Sequence, residues 1–153
     1  MKRTIGIILL TVFTLGIANA QFAIRTKEFN LEKGLAIQGY DPVAYFLQNK
    51  AVKGNQQFTA LADGVTYHFS SAANKDVFAK DYKKYEPQYG GWCAYAMGAN
   101  GEKVEVDPET FKIVDGKLNL FYNAFFNNTL KSWNKDEVNL KKKADNNWKK
   151  IIN

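Results

Sequence analysis

Gln56-Gln57-Phe58-Thr59-Ala60-Leu61-Ala62-Asp63-Gly64-Val65-Thr66-Tyr67-His68-Phe69 is the stretch that decides the fold. Two apolar-rich segments, 56–62 and 65–69, flank Asp63-Gly64. That dipeptide signals a hairpin because a type I′ turn holds both central residues at φ > 0, where Gly is unstrained and Asp is tolerated. Side chains alternate along a strand, so Tyr67 and Phe69 are predicted to share one face and His68 to point from the other. A second Asp-Gly, Asp115-Gly116, joins 111–114 to 118–122 and predicts a second hairpin.

Helices are expected around these strands. Ser70 or Ser71 caps a helix over 72–84, with Ala72, Ala73, Val77, Phe78 and Tyr82 at roughly helical spacing, and Pro87 ends it. Upstream, 21–34 reads as an extended lead-in and 35–38 as a short strand. Gly39-Tyr40-Asp41-Pro42 reads as a helix start, with Asp41 capping free N–H groups and Pro42 suited to the first helical position. Downstream, 89–101 is glycine-rich, and Gly90-Gly91 predicts a sharp bend that presents Cys93, with at least one glycine at φ > 0. Residues 103–106 read as a strand and Asp107-Pro108 as a turn. From about 123 the pattern turns helical, and Trp133 and Trp148 are expected to anchor two C-terminal helices on the sheet. The expected fold is therefore α+β: a small, mainly antiparallel sheet with packed helices, two of them C-terminal.

The start of the 153-residue chain has the parts of a secretory signal. Lys2 and Arg3 precede an apolar run over 5–18, and Ala18-Asn19-Ala20 offers the small-x-small pattern for cleavage. A run of about 14 residues is short for a permanent span, which needs about 20. The expectation is a signal over 1–20, a mature chain starting at Gln21, and export to the periplasm or the medium. A single domain over 21–153 follows, with no transmembrane segment in the mature chain. Aromatic residues at 14% supply ample core material, which argues against disorder. Loss of Lys2 and Arg3 lowers the formal charge from +6 to +4. Much of the excess is C-terminal, in Lys141, Lys142, Lys143, Lys149 and Lys150. So modest an excess describes a solvated face, and no nucleic-acid partner is expected. One cysteine, Cys93, rules out an intramolecular disulfide.

At Tyr67-His68-Phe69-Ser70 the chain resembles the YHS domain family. The likeness takes in Asp41-Pro42-Val43, Gly64, Ser71, Phe78 and Tyr85. From Tyr89-Gly90-Gly91 through Cys93-Ala94 to Asp115-Gly116-Lys117-Leu118 it resembles a longer, exported subgroup. The resemblance implies a binding module with a C-terminal helical extension. Metal-binding members carry thiolates at positions that here are Ala44, Ser70 and Asn74, so the usual cysteine site is absent.

Another set of soft ligands is present: His68, Cys93 and Met97. Imidazole, thiolate and thioether together suit copper. Cys93 and Met97, four apart, share a face if their segment is helical. The leading expectation is an exported module that binds or hands over a metal ion such as copper, with these three residues as its ligands. Its rival is a metal-free domain that holds a partner protein or a small ligand, with Tyr40, Tyr45, Tyr67, Tyr89, Trp92 and Tyr95 as core or as the lining of an apolar pocket. A Cys–His enzyme is a third reading, without an oxyanion motif to support it.

Overall fold

The computed structural model describes residues 22–153; the signal expected at 1–20 and the start at Gln21 lie outside them. Residues 22–28 form helix α1, where local sequence predicts an extended lead-in. The helix is held from a distance. Arg25 grips the Glu86 carboxylate with both Nη atoms, one of them at 3.1 Å, and donates from Nε to the Asp63 carbonyl at 3.3 Å. A contact of this kind leaves no trace in local propensity.

Strands β1 (Leu31–Glu32), β2 (Leu35–Ala36), β3 (Asn55–Ala62) and β4 (Val65–Phe69) form one sheet in the order β1-β2-β4-β3. Its pairings are antiparallel except β2 with β4. Ala62 pairs with Val65 across Asp63-Gly64, as the turn chemistry predicts. Val65, Tyr67 and Phe69 are fully buried, and His68 looks out of the other face, half-buried. The strand expected over 35–38 stops at Ala36, because Ile37, Gln38 and Gly39 all adopt positive φ and form a left-handed turn.

Helix α2 (Ala44–Leu47) is capped by Asp41, whose Oδ1 accepts from Val43 N at 2.9 Å and Ala44 N at 3.3 Å. Ser71 caps α3 (Ala72–Lys80) by accepting from Asn74 N at 3.1 Å. The single helix predicted over 72–84 is broken at Asp81 (φ −156°, ψ 71°), and α4 (Tyr82–Tyr85) follows. The break brings the Tyr82 hydroxyl onto the Asp63 carboxylate and sets Tyr85 edge-on against Phe46, centroids 5.3 Å apart.

Gly90 and Gly91 both have positive φ, 61° and 89°, and the chain bends there as predicted. Helix α5 (Ala94–Ala99) comes next. Residues 103–106 are not a strand, since the Val104 carbonyl accepts from Cys93 N at 2.9 Å instead of joining a ladder. Strand β5 (Asp107–Val114) begins where a turn is expected; Asp107 pairs with Phe121 before a bulge resets the register at Phe111. It forms the second predicted hairpin with β6 (Lys117–Phe121). Helix does not begin at 123. A two-residue hairpin, β7 (Asn123–Ala124) and β8 (Asn127–Asn128), intervenes before α6 (Thr129–Trp133) and α7 (Glu137–Ile152). The architecture is mixed α and β, with small, mostly antiparallel sheets and two C-terminal helices.

Two apolar clusters hold it together. The first joins the inner face of β4 to α3 and β6, with Phe78 tilted against Tyr67 and Phe69, ring centroids 4.8 and 5.0 Å apart. The second gathers Met97, Phe121, Trp133, Leu140 and Ala144 under α7. Trp133 packs on Phe121 of β6, as an anchor on a strand should, but Trp148 lies against Phe29, off the sheets. Helices α5 and α7 meet at Gly98, where a Cβ would stand 2.5 Å from the Leu140 carbonyl oxygen. Among the described residues no helix is long and apolar enough to cross a membrane.

Candidate functional site

The three soft ligands fall in three surroundings. His68 stands on the outer face of β4, its Nδ1 3.5 Å from where a Cβ on Gly39 would be, and Gly54 presses on its backbone. Cys93 is fully buried in the same apolar cluster as Tyr67 and Phe69, which point from the inner face. The sheet therefore separates imidazole from thiol. Met97 follows Cys93 by one helical turn but is buried in the second cluster. The expected His68–Cys93–Met97 copper site is thus not assembled in this structure, because alternation along β4 sends His68 away from the core that holds the sulfurs. The Cys–His dyad needs the same proximity and is not formed either.

The Cys93 sulfur is engaged. It accepts from Tyr122 N at 3.4 Å and lies 3.4 Å from Thr129 Oγ1. The Thr129 hydroxyl donates to the Tyr122 carbonyl at 2.9 Å, so the thiol is the donor in the Cys93–Thr129 contact.

Ala44, Ser70 and Asn74 gather around one buried carboxylate. Asp41, fully buried, is the hub. While Oδ1 caps α2, Oδ2 accepts from Ser70 N (2.8 Å), Ser70 Oγ (2.6 Å) and Asn74 Nδ2 (2.7 Å). Protein donors thereby fill the lone pairs of this carboxylate, and they are charge-assisted bonds. The sequence identifies Asp41 as a cap; that its second oxygen ties the start of α2 to the start of α3 is a tertiary fact.

A cleft of about 330 Å³ opens above Cys93. Tyr95, Ala96, Ala99, Val104, Tyr122 and Thr129 line it, together with the fully buried Cys93. Asn100, Glu102 and Asn127 bring polar groups to it. Of the aromatic residues named as a possible pocket lining, Tyr95 serves here, whereas Tyr45, Tyr67 and Tyr89 are core. Burial, reinforced by the adjacent Glu86, pushes the Tyr67 hydroxyl well above its ordinary pKa. Asn127 and Thr129 are cleft residues without a local sequence signal: Asn127 lies on the unforeseen β7–β8 hairpin and Thr129 opens α6 directly after it.

A second cleft, about 300 Å³, lies between Asn30–Glu32, Ile37-Gln38 and Glu105-Val106. It is walled by the left-handed turn, in which even the β-branched Ile37 has φ 52°. A matching turn at Tyr89-Gly90-Gly91 is tied to it by Asn30, whose N–H donates to the Gly90 carbonyl at 2.9 Å. Its lining is the more polar of the two, with Glu32 and Glu105 both exposed. No group of three or more His, Cys, Asp and Glu side chains among the described residues is arranged to hold a metal ion. No family model matches the chain, and neither a curated protein nor a solved structure matches it.

Proposed function

We propose that this chain is an exported, YHS-like binding module that works without a metal and holds a small, flat, largely apolar molecule in the cleft over Cys93. The carrying observation is the cleft itself: about 330 Å³, lined by tyrosine and alanine side chains with a few polar groups. Mostly apolar concavities with a few convergent polar groups are the usual form of small-molecule sites. The hydrogen-bonded hub at Asp41 supports the metal-free form, since a cation there would have to displace protein donors from a buried carboxylate.

The test is a titration of 2-naphthol into isotope-labelled protein, followed by amide chemical shifts. Saturable shifts at Tyr95, Ala96, Tyr122 and Thr129, lost in Ala99→Trp, are expected. Equal shifts in that variant, or shifts scattered over the surface, contradict the reading. The copper alternative has its own measurement, competition against a copper(I) chelator with wild type, His68→Ala and Cys93→Ser. Equal affinities are expected; a loss of more than an order of magnitude in both variants would restore the copper reading and require a rearranged structure.

A further inference from the structure

Phe125 and Phe126 occupy the tip of the β7–β8 hairpin, 91% and 112% exposed. Both have positive φ, 50° and 64°, a region that bulky side chains rarely adopt. Other large exposed apolar residues, such as Leu47, Leu61 and Val138, stand singly on separate elements. Here alone among them two are adjacent, on a strained backbone, with neither ring packed against the protein.

We propose that this hairpin is a membrane-docking tip that inserts Phe125 and Phe126 into the interface of an anionic lipid surface. Three observations select that occupant. The first is area. A phenylalanine buries roughly 150–250 Å², so the pair offers roughly 300–500 Å², against about 800 Å² per partner in a stable protein–protein interface. The second is the makeup of the tip. Residues 123–128 are Asn, Ala, Phe, Phe, Asn and Asn, so the rings can enter an apolar layer without drawing a charge after them. The third is charge. Even without Lys2 and Arg3 the chain is basic overall, formally +4, and Lys131 and Lys135 are exposed just beyond the hairpin. A small apolar anchor combined with basic residues gives reversible attachment to acidic lipid.

The test uses the full chain labelled with 4-fluorophenylalanine, and fluorine NMR. The resonances of Phe125 and Phe126 are assigned with Phe125→Leu and Phe126→Leu. Vesicles of mixed phosphatidylglycerol and phosphatidylcholine are added with and without a nitroxide-bearing lipid, so that the paramagnetic broadening is local and separate from slow tumbling or from binding by residues 1–20. The expected result is strong nitroxide-dependent broadening of these two resonances and little at the buried Phe69, Phe78 and Phe121. It should weaken with pure phosphatidylcholine and at high salt, because the charge component is screened. Sharp Phe125 and Phe126 signals in the presence of the nitroxide vesicles overturn the proposal. So does a shift of both signals with protein concentration alone, which would assign the tip to a second copy of the chain.

Discussion

Among the described residues, four two-residue turns close hairpins, and every central residue has positive φ. Lys33-Gly34 has 52° and 86°, Asp63-Gly64 43° and 84°, Asp115-Gly116 51° and 69°, and Phe125-Phe126 50° and 64°. The first three place glycine second, where it costs nothing sterically, and two of them begin with Asp, which tolerates the left-handed region. The fourth has neither. Its neighbours differ as well. The Asp63-Gly64 turn is braced by Arg25 and by the Tyr82 hydroxyl, whereas both Phe rings of the fourth turn stand in solvent. One backbone shape thus serves two ends. Three turns have residues chosen for folding, and the fourth keeps residues that oppose it.

The brace on the second turn gives the largest expected effect. Glu86→Gln leaves Arg25 buried without its countercharge, and breaking a buried pair costs about 3–5 kcal/mol. In the wild type burial works against the Arg25 charge, and the hydrogen bond and attraction of Glu86 outweigh it and raise its pKa; without Glu86 the guanidinium still keeps its proton, so the charge is left buried and unpaired. Denaturant unfolding should show this loss; a cost below about 1 kcal/mol would mean that α1 is not held as described.

Next come the glycines. Gly64→Val adds a Cβ 2.5 Å from the Phe22 ring at φ 84° and should cost about 2–3 kcal/mol. Gly116→Val, with φ 69° and nothing within 4 Å of its Cβ, should cost about 1–2 kcal/mol, the backbone cost alone. Equal losses would erase the distinction between a braced and a free turn.

A smaller effect appears with pH. Burial, then the hydrogen bond to Asp63, pushes the Tyr82 hydroxyl up to about 12. The folded state favours the protonated phenol, so the stabilisation is complete below the unfolded value of about 10 and is lost as pH rises through about 12. Tyr82→Phe should flatten that part of the alkaline unfolding curve. An unchanged slope between wild type and variant would contradict the contact.

What could be read in advance divides along the same line. The Asp-Gly hairpins and the placing of Tyr67 and Phe69 opposite His68 were legible because turn chemistry and strand alternation are local. The bend at Gly90-Gly91 was legible for the same reason. Helix α1 was not, since Arg25 and Glu86 meet across 61 residues of sequence. The β7–β8 hairpin was not, because Phe-Phe carries no turn signal, and with it went Asn127 and Thr129 of the cleft. His68, Cys93 and Met97 were readable as ligand types; whether they converge depends on which face of β4 and which cluster each one joins.

If the Phe125-Phe126 tip is a docking element, the fourth turn is retained for contact and not for folding. The most direct measurement is thermal unfolding of the wild type beside Phe125→Asn/Phe126→Gly, which restores the residues favoured at these φ values. Relief of strain should stabilise by about 1–2 kcal/mol, a rise in Tm of roughly 3–6 °C, while the variant loses its attachment to phosphatidylglycerol vesicles at the hairpin. A variant that melts lower than the wild type would show that the two rings support the fold, and would contradict the account.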